Sequence, residues 1–330
     1  MAIRVIKPGA YTTVQDTGRY GYQRYGVPVG GSMDRFAGAL ANILCGNPWD
    51  AALLEISFHG TRLFFDEDHL VSFTGGGARA FTDEGAELPM NRAIFIPQFS
   101  VIDTRYHPEG SRLYMALAGG IDVPNVMNSR SSYPPAGVDH QLRDKEIYRT
   151  LPASAWAGKV MAELGGRKVS AAKWGPADPM ISYGAGEVRA MKGPEWERFG
   201  SARLSGFFAG SFGISRDSDR MGYRLDSLPG TESPALTEPY EMISTAVTKG
   251  TVQVVPGGEL MVLMSDAQTT GGYPRIAQVI AADLPLLAQK KPGDTIVFRE
   301  VSAGKAEELY LTQIRDLLRL EKNCKAKYIG

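Results

Sequence analysis

Short runs of β-branched and aromatic residues, cut every few positions by glycine or proline, constrain this chain more than any other feature. "IRVIKPG", "LVSFTGGG", "RAIFIPQ", "SRLYMALAGG", "GTVQVVPGG", "ELMVLMSD" and "TIVFREVS" all have this form. Runs of that length bounded by turn residues predict strands, and 38 glycines with 20 prolines in 330 residues supply the turns. Helical periods are few. "SMDRFAGALANILCGNP" sets Met33, Phe36, Ala37, Leu40, Ile43 and Leu44 on one face, with Ser32 as the expected N-cap, Asp34 in the first turn and Gly46 at the close. "DLPLLAQ" reads as a short helix starting near Asp283, and "KAEELYLTQIRDLLRLEK" as one with Leu311, Ile314, Leu317 and Leu318 on a stripe. Strands without regular β-α alternation predict a mainly β, or β-rich α+β, protein.

Charge and composition narrow the function classes. Lysine plus arginine balance aspartate plus glutamate at 36 each, so no basic excess points to nucleic acid or an anionic membrane as the partner. Cys45 and Cys324 lie far apart with no CxxC neighbour, which argues against a disulfide framework or a zinc site and for a reducing compartment. The four histidines show no HxH or HExxH spacing, so no metal is expected. The N-terminus lacks the form of a signal peptide and no apolar run reaches the roughly 20 residues of a membrane helix. The expectation is a soluble cytoplasmic protein.

The chain also echoes itself. "QDTGRYGY" at 15–22 resembles "RDSDRMGY" at 216–223, with Asp16/Asp217, Arg19/Arg220, Gly21/Gly222 and Tyr22/Tyr223 in step. A second, looser echo links 55–77 to 243–273 through Gly60/Gly250 and Gly75/Gly271. Offsets of 201, 190 and 196 residues suggest two copies of one β-rich unit. The expected divisions are 1–125 for the first lobe, 126–185 for a connecting region of loop and short helix, 186–303 for the second lobe and 304–330 for a terminal helix.

Three stretches concentrate polar chemistry. "SDAQTTGGYP" at 265–274 puts Asp266, Gln268, Thr269 and Thr270 beside Gly271 and Gly272, but no lysine follows the glycines and "YPRIAQVI" favours an extended segment. The Walker phosphate cradle is therefore excluded there. "VQDTGRYGYQRYGVPVGGSMD" interleaves Gln15, Asp16, Arg19, Arg24 and Asp34 with glycine and tyrosine, and "ISRDSDRMGYRL" carries Arg216, Arg220 and Arg224. Taken singly, a polar turn, a capped loop and a solvated ion-pair surface are the ordinary readings of the three. Equivalent loops of two duplicated lobes make a shared site the functional one.

Those stretches, with "LEISFHGTRLFF" and "SDAQTTGGYPRIAQVIAADLPLLAQKKPGDTIVF", resemble the KipA-like family. It includes the C component of 5-oxoprolinase (PxpC), the proteins called allophanate hydrolase subunit 2, and part of the carboxyltransferase domain of urea carboxylase. The resemblance covers about 1–125 and 186–303. It implies two tandem cyclophilin-like β-barrel lobes with a few short helices and a C-terminal helix. It also implies a KipI-like partner protein, a LamB/YcsF-like third component, and ATP-dependent opening of 5-oxoproline to glutamate, with ATP as cosubstrate of the complex. The other readings are a carboxyltransferase component of a biotin-dependent urea or amide carboxylase, with biotin on a separate carrier, and a non-catalytic regulatory protein partnering a kinase inhibitor. Both enzyme chemistries act on a planar amide whose oxygen gains negative charge. On that basis Asp16, Asp34, Arg220, Gln268 and Thr270 are the expected catalytic residues, with Gln15, Arg19, Arg216, Thr269, Gly271, Gly272 and Tyr273 binding substrate. The segment "MNSRSSY" and the run to "LGGRKVSAAKWGP" depart from the family pattern.

Overall fold

The computed structural model describes the chain except residues 177–179, 185, 201–205, 233, 235, 237–239 and 330. The chain divides into two compact units. The first is made of Met1–Arg19, Asp34–Tyr183 and Arg315–Gly330, and the second of Tyr20–Met33 and Gly184–Ile314. Of the segment 126–185, read from sequence as a connecting region, all up to Tyr183 falls in the first unit, while Tyr20–Met33 belongs to the second.

The first unit is a pair of six-stranded sheets. In one, Ile121–Asp122, Ile147–Thr150, Ala2–Pro8, Thr61–Phe65, Val101–Tyr106 and Ala78–Thr82 follow in spatial order; in the other, Ser170–Ala171, Ile94–Ile96, His69–Gly75, Arg112–Leu117, Leu53–Ser57 and Tyr11–Gln15. Side chains alternate across a strand. One face of the second sheet therefore sends Leu54, Ile56, Val71, Phe73, Leu113 and Met115 into a core shared with Ile3, Val5, Leu63, Phe65 and Ile102 of the first. On its other face Leu53, Tyr114 and Ala116 pack against Ala37 and Ala41 of the helix Arg35–Leu44 and against Cys45, its C-cap. Covered on both sides, Leu53–Ser57 is buried at every residue, Glu55 and Ser57 included.

The second unit is a closed barrel of seven strands: Glu187–Lys192, Arg275–Val279, Thr251–Val254, Leu260–Leu263, Gly222–Ser227, Phe212–Ile214 and Thr295–Glu300. Its neighbours run antiparallel except the closing pair, Glu187–Lys192 with Thr295–Glu300, which is parallel. Val188, Val252, Val262, Ile276, Ile296 and Phe298 fill the interior, Phe207 stacks on Phe298 at 4.7 Å, and Met33 joins the same core. The mainly β class expected from sequence stands.

The helices differ in detail from expectation. Asp34, not Ser32, is the N-cap of Arg35–Leu44: its carboxylate accepts from Ala37 N at 2.8 Å. The short helix Leu284–Gln289 follows Asp283, whose carboxylate is held by Arg189. The last helix, Ala303–Ile329, buries Leu317 and Cys324, whereas Leu311 and Leu318 of the expected stripe are exposed. Among the described residues no helix is long and apolar enough to cross a membrane.

Candidate functional site

In the second unit the strand Leu260–Leu263 runs straight into "SDAQTTGGYP", and the "RDSDRMG" loop is hydrogen-bonded to its start. Met264 N donates to Met221 O and Asp266 N to Arg220 O, each at 2.9 Å. Asp219 caps the turn by accepting from Met221 N and Gly222 N. That geometry brings the Arg220 guanidinium onto the Asp266 carboxylate as a fork, Nε to Oδ2 at 2.7 Å and Nη2 to Oδ1 at 3.1 Å. Both side chains are about nine-tenths buried, so each charge depends on the other for solvation.

The same arginine holds a second element. Arg220 Nη2 donates to Gly31 O at 2.8 Å, Ser265 Oγ to Ser32 O at 3.4 Å and Lys249 Nζ to Met33 O. Lys249 Nζ also donates to Ser265 Oγ at 2.8 Å, and Gly30 N to Ser265 O at 3.0 Å. Three successive carbonyls of the strap Gly30–Met33 are thus tied to barrel side chains. Gly30 and Gly31 both have positive φ, 65° and 82°, a conformation that favours glycine and lets the strap turn there.

Beyond Ala267 the loop changes character. Gln268, Thr270 and Tyr273 are exposed, and Thr270–Gly271 pairs with Thr245–Ala246 as a two-stranded ribbon. Gly271 lies over the buried Gln253: a Cβ there would sit 2.5 Å from Gln253 Nε2, which itself donates to Tyr273 O. The next element is the strand Arg275–Val279, so no helix N-terminus stands behind the glycines. Tyr273 and Gly272 border a groove of about 800 Å³ with Tyr240, Met242, Val254 and Pro274.

The first unit uses its expected site residues differently. Asp16 is 8% exposed and its carboxylate accepts from Gly18 N, Ser129 Oγ, Ser131 Oγ and Arg130 N. Arg19, 2% exposed, donates from Nη2 to Ser131 O, and Gln15 Nε2 donates to Thr13 Oγ1 and Ser132 O. These residues knot the strand end Tyr11–Gln15 to 129–132. Through Nη2, Arg19 is a buried tie to this segment. Asp34 is fully buried at its helix cap, where its N–H donates to Tyr114 Oη at 2.7 Å. Tyr114 in turn donates to Glu55 Oε2 at 2.9 Å, and Arg112 stands 3.7 Å from the same carboxylate. Burial, then the negative charges of Glu55 and Asp34, push the Tyr114 hydroxyl well above its usual range and keep it a neutral donor. Tyr183 is raised too, by burial and then by Asp34, to which it hydrogen-bonds.

Of the expected residues, then, Arg220 is brought against Asp266 and the strap, Gln268 to Tyr273 form the outer part of the same loop, and Gln15, Asp16 and Arg19 cluster in the first unit. Arg216 is exposed and outside the clamp. Sequence reading missed Lys249, Ser265, Ser32, Ser129, Ser131, Glu55 and Tyr114 as parts of these clusters. The acid inside the apolar run "LLEIS" was the one plain signal for Glu55. Among the described residues no group of three or more His, Cys, Asp or Glu is placed to hold a metal, and Cys45 and Cys324 are both free and buried.

Residues 25–300 match the family described as carboxyltransferase domain, subdomain A and B. The chain belongs to the carboxyltransferase domain family. Within it, the chain is 36% identical over 313 residues to the C component of the 5-oxoprolinase of Escherichia coli (strain K12), covering 92% of this chain and 93% of that protein. It is 31% identical over 331 residues to the corresponding C component of Haemophilus influenzae, covering 97% and 100%. The solved urea amidolyase of K. lactis superimposes with a TM-score of 0.84 at 26% identity; the match takes in 97% of this carboxyltransferase-family chain but only 20% of that much longer one.

Proposed function

We propose that this chain is the C component of a 5-oxoprolinase-type amide hydrolase, acting with a KipI-like partner and a LamB/YcsF-like partner in the cytoplasm. The observation that carries this reading is the 36% identity to the E. coli C component over nearly the whole of both chains. In this reading the second unit's loop faces the amide. Gln268 and Thr270, both exposed, hydrogen-bond the ring amide, Thr269 and the Gly271-Gly272 backbone border it, and Tyr273 flanks its flat face. As the amide opens, its oxygen gains negative charge, and preorganised donors lower the barrier in proportion to how little they must move. Arg220 serves by fixing Asp266 and the strap, since its guanidinium is already forked on a carboxylate. Gln15, Asp16, Arg19 and Asp34 brace the first unit.

ATP would activate the amide oxygen for attack by water. The glycine loop does not fit a phosphate cradle, because a strand follows it. We therefore assign the nucleotide to a partner protein. Reconstitution tests the reading: ATP-dependent glutamate release from 5-oxoproline requires this chain in addition to its two partners. Equal release when the chain is omitted would overturn it.

A second reading is favoured by the TM-score of 0.84 to urea amidolyase: carboxyl transfer from a separate biotin carrier to an amide nitrogen. It predicts avidin-sensitive fixation of bicarbonate, and the hydrolase reading predicts none.

A further inference from the structure

The strap Gly30–Met33 has two edges, and the clamp uses one of them. Peptide planarity sets each N–H opposite the carbonyl of its own peptide group. With Gly31 O turned to Arg220, the Ser32 N–H is directed to the other side of the strap. Among the described residues neither the Ser32 N–H, nor the Ser32 hydroxyl as a donor, nor the Gly31 N–H has an acceptor. Ser32 is only 3% exposed and Gly31 is buried. Buried amide N–H groups without a partner are rare, because giving up water with no replacement is costly. Here two such N–H groups come from consecutive residues, with the Ser32 hydroxyl beside them.

Arg220 and Lys249 both touch the strap through its carbonyls, and only Asp266 among the clamp's side chains is acidic. The clamp fixes the donors without their having to reorganise.

We propose that Gly31 N–H, Ser32 N–H and the Ser32 hydroxyl form a binding subsite for the carboxylate of a small cyclic amide acid. The identity of the amide acid rests on the oxoprolinase reading above; the carboxylate subsite itself does not. Lys249 and Ser265 are then positioning residues: they hold the strap by its carbonyls and do not touch the ligand.

The test uses the full chain with selective ¹⁵N-glycine and ¹⁵N-serine labelling, titrated with 5-oxoproline and with its uncharged counterpart 2-pyrrolidinone. The acid saturably shifts the Gly31 and Ser32 amide signals and 2-pyrrolidinone does not. Ser32→Ala weakens binding about tenfold by deleting one donor to a charged group. Lys249→Met weakens it with the Ser32 hydroxyl intact, and Lys249→Arg restores part of the loss. Absence of saturable binding, or binding that leaves both amide signals in place and is indifferent to Ser32→Ala, overturns the subsite. The two readings fail separately. A reconstituted complex that releases glutamate while these amides stay silent removes the subsite alone. Saturable shifts without any glutamate release remove the oxoprolinase reading alone.

Discussion

"QDTGRYGY" and "RDSDRMGY" are near-copies in sequence, and the protein puts them to different uses. Each follows a strand, Tyr11–Gln15 in the first unit and Phe212–Ile214 in the second. The second copy turns back at once into Gly222–Ser227, which pairs with Phe212–Ile214 and leaves Arg216 and Asp217 in water while Arg220 swings onto Asp266. The first copy makes no hairpin. Its aspartate and arginine are drawn inward by 129–132, and the chain then passes from the first unit to the second after Arg19. Asp16 and Asp217 match by letter and offset, yet one gathers four donors and the other is exposed. What distinguishes them is the serine-rich segment that meets Asp16, more than a hundred residues further along the chain.

The comparison breaks most readily at Asp16. Replacing it by alanine strands two serine hydroxyls and two amide N–H groups in a buried place, at a cost of about 3–5 kcal/mol. Asp217→Ala changes stability by less than about 0.5 kcal/mol. Urea unfolding of both variants measures the difference, and equal effects would mean the copies are equivalent after all.

Arg220→Ala comes next. It leaves the Asp266 carboxylate buried without its counter-charge and frees Gly31 O, for a loss of about 3 kcal/mol. Hydrogen exchange sharpens the comparison: amides of 30–33 exchange faster in Arg220→Ala and at the wild-type rate in Arg216→Ala.

A smaller, pH-dependent effect belongs to Glu195. Its hydrogen bonds from Arg275, Nη2 to Oε1 at 2.7 Å and Nε to Oε2 at 2.9 Å, hold the carboxyl below its ordinary range. A lowered folded value means that the pair stabilises the fold above the usual glutamate pKa, about 4.3, and that this is lost as pH falls through the lowered value. Glu195→Gln therefore costs about 1–2 kcal/mol at pH 7, and the gap to wild type closes on acidification. A gap that widens below about pH 4 would reverse the assignment.

Much of this architecture was legible locally. Strand runs, the Arg35–Leu44 helix and its closing Gly46 (φ 71°) follow from period and capping rules. Gly60 and Gly250, matched only by the internal echo, share a positive φ of 89° and 87°. Gly75 and Gly271 do not: Gly75 has φ 95°, while Gly271 is set by the room Gln253 leaves. What stayed hidden was fixed at long range. Nothing near "VTKG" says that Lys249 will reach Met33 O, and nothing near "NSRSS" says that Ser129 and Ser131 will meet Asp16. Asp34, not Ser32, takes the N-cap, and the Ser32 carbonyl is held by Ser265 three residues before the helix begins. The row Thr13, Glu55, Tyr114 and Thr74 crosses four strands in register, a pattern that appears only once the pairing is known.

On this account the outer part of the second unit's loop works on the amide, while the Asp16 knot in the first unit is structural. Glutamate release by the reconstituted complex carrying Gln268→Ala tests that division most directly, because Gln268 is exposed and its loss leaves no buried group unpaired. Turnover falls at least about tenfold with the melting temperature unchanged. Wild-type turnover in that variant would contradict the account.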